Sequence, residues 1–132
     1  MQRGLAALGG AMMATALAVG PAATQDAPPA DWIDSVPAAD LTPSLLIARK
    51  IEARCRSLRL SDAAESAIER RAAELSAYLT ERRLGPSAAS QPAISAFEAR
   101  HQTTYSGTNS LCRAGFVEMK DGTDIGRLLQ AR

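Results

Sequence analysis

Apolar residues recur at spacings of three and four along most of the chain, which is the pattern of amphipathic α-helices. The first predicted helix begins near Thr42, with Pro43 at its first helical position, and continues to about Leu60. Its apolar stripe includes Cys55, so we expect this sulfur atom to face the core.

Three more helices and a short terminal one follow in the pattern. The second begins at Asp62 and stops at Gly85, the third opens at Pro92, and the fourth covers residues 110–120. A break at Gly122 precedes the short terminal helix. The sequence therefore predicts an all-α fold, a small bundle of about four helices plus a short C-terminal helix.

The fourth predicted helix presents Cys112, Phe116 and Met119 on one inward side, with Gly115 beside them. A glycine permits two helices to approach closely because it has no side chain. This arrangement fits a bridge between Cys55 and Cys112 on facing helices. An even number of cysteines in an exported chain also predicts one disulfide, and two unpaired buried thiols are the alternative.

The chain is expected to have three regions. Residues 1–22 combine Arg3 with an uncharged stretch rich in Ala and Leu and with small residues suited to cleavage, as in a signal peptide. Residues 23–40 are a Pro- and Ala-rich linker, and residues 41–132 form the helical domain. An uncleaved N-terminal anchor is the alternative, although its apolar run is short for a membrane-spanning helix. We expect a periplasmic or secreted protein with no membrane span after cleavage.

Composition and motifs exclude several functions. With 15 basic and 14 acidic residues, the chain lacks the positive charge of a nucleic-acid binder. It has no motif for covalent haem, phosphate, dinucleotide, zinc or calcium binding, so no cofactor, metal or catalytic residue is assigned. A pocket near Phe97, His101 and Tyr105 is the weak alternative for a ligand carrier or enzyme. Packing is the plainer interpretation of His101, the chain's one histidine.

Basic residues cluster on the first predicted helix. Five of them lie within eleven positions, opposed by Glu52 alone, and such a helix can bind an acidic partner. A solvated face matched by acids of neighbouring helices is the alternative. The linker tryptophan either packs across the helices or forms the tip that meets a partner. The interaction candidates are Trp32, Arg49, Lys50, Arg54, Arg56 and Arg59.

Two C-terminal stretches carry a resemblance to a known family. Residues 111–119 read Leu-Cys-Arg-Ala-Gly-Phe-Val-Glu-Met, and residues 122–129 read Gly-Thr-Asp-Ile-Gly-Arg-Leu-Leu. Together with the predicted signal peptide and the helix bearing Cys55, they resemble a family of small exported proteins from Rhodobacter-like alphaproteobacteria that is classed as a domain of unknown function. The resemblance covers residues 41–132. It implies an all-helical periplasmic domain with one disulfide, and it brings no catalytic residues.

Three functions are compatible with this sequence. The favoured one is a small, non-enzymatic periplasmic protein that binds an envelope protein as an accessory subunit. The second is a periplasmic stress holdase, a chaperone whose thin alanine-rich core loosens and exposes apolar stripes to its clients. The third is a small-ligand carrier or an enzyme with its pocket near His101.

Overall fold

A computed structural model describes residues 32–107 and 109–132 of the chain. The predicted signal peptide at 1–22, and the predicted linker up to residue 31, lie outside this part. The described residues form α-helices, one short 3-10 helix and two three-residue strands, so the all-α prediction is confirmed. The elements are a 3-10 helix (Trp32–Ser35), α1 (Ala38–Arg54), β1 (Leu58–Leu60), α2 (Asp62–Arg70), α3 (Ser76–Leu84), α4 (Gln91–His101), α5 (Asn109–Asp121), α6 (Asp124–Arg127) and β2 (Leu129–Ala131).

Helix α1 is the centre of the fold and contacts α3, α4, α5, α6 and β1. It begins at Ala38, one turn before the predicted start, so Pro43 lies inside the helix. Thr42 is a buried helical residue whose hydroxyl donates to the Ala38 carbonyl at 2.9 Å, and it caps nothing. The buried residues of α1 are Leu41, Thr42, Pro43, Leu45, Leu46, Ile47, Ala48 and Ile51.

Helix α1 ends at Arg54 and does not continue to Leu60 as predicted. Cys55 adopts an extended conformation, and the following residues form β1, which pairs antiparallel with β2 so that Leu60 lies opposite Leu129. Glu52 fixes this exit, because its carboxylate accepts a hydrogen bond from the Leu60 backbone N–H at 2.9 Å. The last residues of the first predicted helix are therefore a strand.

The predicted disulfide between Cys55 and Cys112 is present and joins the end of α1 to α5. Gly115 allows these helices to approach, since a Cβ atom there would lie 2.7 Å from Leu58 Cδ1 and 2.8 Å from Ile51 Cγ2. A disulfide of this kind suits an oxidising, extracellular compartment. Among the described residues, no helix has both the length and the apolar composition that crossing a membrane requires.

The second predicted helix is divided into α2 and α3 by a turn around Arg71. The Arg71 guanidinium donates to the carbonyls of Ile33 and Val36 at 2.9 and 2.8 Å, so it anchors the 3-10 helix to the bundle. Beyond the turn Tyr78 is fully buried, whereas its neighbour Leu79 is exposed. The segment around Trp32 thus packs across the helices, as one of its two interpretations predicted.

Candidate functional site

Arg49, the first of the predicted interaction residues, is held by the chain's own acceptors. Its Nε donates to the Tyr78 hydroxyl at 3.1 Å, Nη1 donates to Glu52 at 3.0 Å, and Nη2 donates to Glu65 at 2.9 Å. Burial lowers the pKa of Arg49, but these bonds outweigh it and raise the pKa above its ordinary value. The guanidinium is therefore charged and rigidly oriented.

The predicted basic residues do not all lie on one helix. Arg54 is the last residue of α1, and Arg56 and Arg59 come after the helix has ended, so the prediction that one helix carries all five basic residues is wrong. Arg59 forms an ion pair with Asp62 at 3.1 Å. Neighbouring acids thus match part of the basic charge, as the solvated-face interpretation expects.

Trp32 is half-buried and packs against the core. The guanidinium carbon of Arg127 lies 5.4 Å from the centroid of the Trp32 ring, which is a cation–π distance. This geometry does not support the interpretation of Trp32 as a protruding tip, because core residues and the Arg127 guanidinium already lie against the ring. Trp32 therefore serves to attach the N-terminal segment.

Arg49 and Lys50, two of the predicted basic residues, line one depression together with Tyr105, one of the predicted pocket residues. Lys50 Nζ lies 4.9 Å from the centroid of the Tyr105 ring, and the Tyr105 hydroxyl donates to the Leu46 carbonyl at 3.3 Å. Burial, with Tyr78 and Glu81 nearby, raises the pKa of Tyr105, so its phenol is protonated at neutral pH. These residues belong to a depression of about 200 Å³, the α1–α3 pocket, lined by Leu46, Arg49, Lys50, Ala53, Arg82 and Tyr105.

The structure separates the other two predicted pocket residues from Tyr105. Phe97 is a fully buried core residue, and the His101 ring packs on it with 4.8 Å between the ring centroids. His101 lines a second, shallower depression of about 340 Å³ between α4 and α5. This depression, the α4–α5 groove, is lined by Arg100, His101, Gln102, Arg113 and Val117.

A buried carboxylate that the sequence analysis did not single out lies beneath the α4–α5 groove. Glu118 is 1% exposed, and its Oε2 accepts from Arg100 Nη2 at 2.7 Å and lies 2.5 Å from His101 Nε2. Its Oε1 accepts from the Thr123 hydroxyl. Thr123 in turn caps α6, because its hydroxyl oxygen accepts from the Gly126 N–H at 3.1 Å.

The chain's own donors occupy the Glu118 carboxylate. Burial raises the pKa of Glu118, but hydrogen bonds from His101, Thr123 and Arg100 outweigh it and hold the pKa below its usual value. Oε2 takes three nitrogen contacts and Oε1 takes the hydroxyl, so the acceptor capacity of a carboxylate is essentially filled. This cluster can join α4, α5 and α6, and it leaves no free base beside the groove.

The outward side of α5, beside the α4–α5 groove, exposes two large apolar side chains. Phe116 is 45% exposed and Val117 is 38% exposed, although the sequence pattern placed Phe116 inward. The buried stripe of α5 instead consists of Leu111, Ala114, Gly115 and Glu118, at the helical spacing of three, four and seven residues. The α5 outer face is formed by Arg113, Phe116, Val117 and Lys120.

Comparison with known proteins adds no relative. No family model, curated protein or solved structure matches the chain. The resemblance of residues 41–132 to a family of exported proteins stays a prediction. Within residues 32–107 and 109–132, no group of three or more His, Cys, Asp or Glu side chains is placed to hold a metal ion.

Stability should fall in acid. Glu52, Glu81 and Glu118 all have a pKa held below the usual value of about 4.5, because hydrogen bonds to each carboxylate outweigh the effect of burial. Groups with a lowered folded-state pKa stabilise the fold above about pH 4.5, and this contribution is lost as the pH falls through the folded-state pKa. Urea midpoints should be constant from pH 6 to 8 and decrease below about pH 4.5. A midpoint that rises between pH 5 and pH 3 would contradict this assignment.

Proposed function

We propose that the protein is a small, non-enzymatic periplasmic accessory subunit that binds an acidic segment of an envelope protein through the α5 outer face. One observation carries the proposal. Phe116 and Val117, which are adjacent in sequence, are both exposed on α5, with a basic residue about one turn before them and another about one turn after them.

Burial of these two apolar side chains supplies the attraction. Most large apolar residues of the described chain are in the core, and the other exposed ones, Leu79 and Leu84, lie on α3. Adjacent exposed apolar residues that basic groups surround are typical of protein interaction sites. A partner that covers Phe116 and Val117 removes them from water, which favours association.

Charge selects the kind of partner. Arg113 and Lys120 lie on the face itself, and Arg100 and His101 line the adjoining α4–α5 groove. Arg100 and His101 are paired with Glu118, whereas neither Arg113 nor Lys120 forms an ion pair within the described residues. An acidic segment with apolar residues between its carboxylates is therefore complementary to this face.

The arrangement favours a protein segment over a lipid surface. A membrane-surface helix separates its apolar residues from its basic ones, so that one whole side can enter the lipid. On α5 the basic Arg113 and Lys120 lie between Phe116 and Val117 around the helix, so the two kinds are not on separate sides. This order suits a partner segment whose acidic residues are flanked by apolar ones.

The enzyme alternative finds less support in this geometry. Phe97, His101 and Tyr105 do not line one pocket: Tyr105 lines the α1–α3 pocket, and His101 lines the α4–α5 groove. The His101 ring is also hydrogen-bonded to the buried Glu118. A general base needs a lone pair directed at a substrate, and the Glu118 oxygens are occupied.

Photo-crosslinking in the native envelope tests the proposal. A photo-crosslinking amino acid at position 116 should attach one stoichiometric partner through a segment rich in Asp and Glu. Phe116→Ser with Val117→Ser should weaken binding of that partner by at least about tenfold, since central apolar contacts carry most of the energy of an interface. Leu84→Ser is the matched control, because it also removes an exposed apolar side chain but lies on α3.

Two other outcomes would overturn the proposal. Capture of many unrelated proteins, equally strong with the native protein and with the variant that carries Phe116→Ser and Val117→Ser, would favour the holdase. A single partner that is lost in the Leu84→Ser control and kept in the α5 variant would place the interface elsewhere.

A further inference from the structure

We infer that the α1–α3 pocket is a binding site for a short aliphatic dicarboxylate. The proposal concerns different residues from the α5 outer face and does not depend on the proposed function. It rests on the volume of the pocket, on the cations that line it and on the finding that, among the described residues, no Asp or Glu lines it.

The volume of the pocket sets the size of the ligand. The pocket volume of about 200 Å³ equals the volume of roughly six or seven molecules of liquid water. This volume is below the usual range for drug-sized ligands, so it fits a molecule of only a few carbon atoms. Leu46, Ala53 and the ring of Tyr105 provide apolar wall for such a chain.

The cations of the pocket set the charge of the ligand. Arg49, Lys50 and Arg82 line it, and its lining includes no Asp or Glu. Arg49 is matched by Glu52 and Glu65. Within the described residues, neither Lys50 nor Arg82 forms an ion pair, so two positive charges face the pocket without a carboxylate. Two such charges are complementary to a dianion.

The pocket is partly preorganised for carboxylates. Arg49 is fixed by Tyr78, Glu52 and Glu65, and its Nη2 uses one of its two hydrogens on Glu65. Within the described residues the second hydrogen has no acceptor, and a fixed guanidinium loses little freedom when it donates to a ligand. Lys50 rests against the Tyr105 ring, so its ammonium is also partly positioned.

Negative charge close to the pocket limits the affinity. Glu81 is near enough to Tyr105 to raise the phenol pKa, but its carboxylate accepts from the Ser87 N–H and the Ser90 hydroxyl at 2.8 and 2.7 Å. Glu52 and Glu65 compensate Arg49 in the same way. A weak site is therefore expected, with a Kd for succinate of about 1 mM at low ionic strength.

Calorimetric or NMR titration of the disulfide-bonded protein with succinate tests the inference. Succinamide, which has the same shape without charge, should bind at least about tenfold more weakly. Lys50→Gln and Arg82→Gln should each weaken succinate binding about tenfold, and both substitutions remove the charge of an exposed or half-exposed side chain while they keep it polar. Arg83→Gln is the matched control, because it removes the neighbouring exposed charge from outside the pocket.

Three results would overturn the inference. Equal binding of succinate and succinamide would show that charge has no role. Inorganic phosphate that binds as tightly as succinate at the same ionic strength would show a general anion effect. Equal weakening by Arg83→Gln and Lys50→Gln would show that net charge, and not the pocket, attracts the ligand.

Discussion

Replacement of Cys55 and Cys112 by alanine should lower the free energy of unfolding by about 4 kcal/mol, because the bridge closes a loop of 57 residues in the unfolded chain. Cys55 is also fully buried against the core, so its sulfur contributes packing as well as closure. A loss of this size is a large fraction of the stability of a small domain. We expect the variant to be partly unfolded at 37 °C.

Urea denaturation followed by the fluorescence of Trp32 measures this loss. The residue is the single tryptophan of the chain, and it packs against the core, so its emission should report on the folded state. Dithiothreitol should lower the midpoint of the native protein and leave that of the double variant unchanged. Equal midpoints of the native protein with and without reductant would contradict the expectation.

Glu118→Ala should cost about 3 kcal/mol, because it removes a buried carboxylate and leaves the hydrogen-bond donors around it without their acceptor. The loss of the acceptor affects His101 most, because its side chain is only 8% exposed and has little access to water. Arg100 is 47% exposed and can donate to water instead. The loss should also release the cap of α6, because Thr123 binds both Glu118 and the Gly126 N–H.

Arg100→Ala is the matched control for the buried carboxylate. It removes the most exposed member of the same cluster and should cost no more than about 1 kcal/mol, as half-exposed ion pairs usually do. Hydrogen exchange should separate the two variants, with faster exchange in Gly126 and its neighbours only in Glu118→Ala. Equal stability losses in the two variants would show that Glu118 acts as a surface charge.

The helices themselves were predictable from local signals. Ser61 accepts the cap bond of α2 from Ala64 N–H, one residue before the predicted start, and α4 contains the predicted Pro92 near its beginning. Gly85, with φ of 107°, ends α3 where the Gly-Pro pair indicated. In each case the residues that decide the boundary are next to it in the sequence.

Boundaries that depend on distant contacts were not predictable. Leu58 continues the helical stripe of α1, three residues after Cys55, but Leu58 and Leu60 also alternate as in a strand, and a short apolar run does not distinguish these periods. The strand forms because β2, about 70 residues later, pairs with it. The turn after α2 likewise depends on the bonds of Arg71 to Ile33 and Val36, which no local signal contains.

The candidate surfaces were predictable only in part. Arg49, Lys50 and Tyr105 were all singled out, but their meeting in one pocket depends on how α1 packs against the later chain. Glu118 was overlooked because an acidic residue is normally exposed. One signal could have found it: Leu111, Ala114 and Glu118 share a helical stripe, which puts the carboxylate among apolar residues.

The connection between α3 and α4 gives the fold an unusual tolerance of proteolysis. Gly85 and residues 87–89 are exposed, so this connection is open to a protease. A cut there would produce one fragment with Cys55 and β1 and another with Cys112 and β2, and the disulfide and the strand pair would keep the fragments together. The nicked protein would therefore remain one particle under oxidising conditions and would separate into two chains only after reduction.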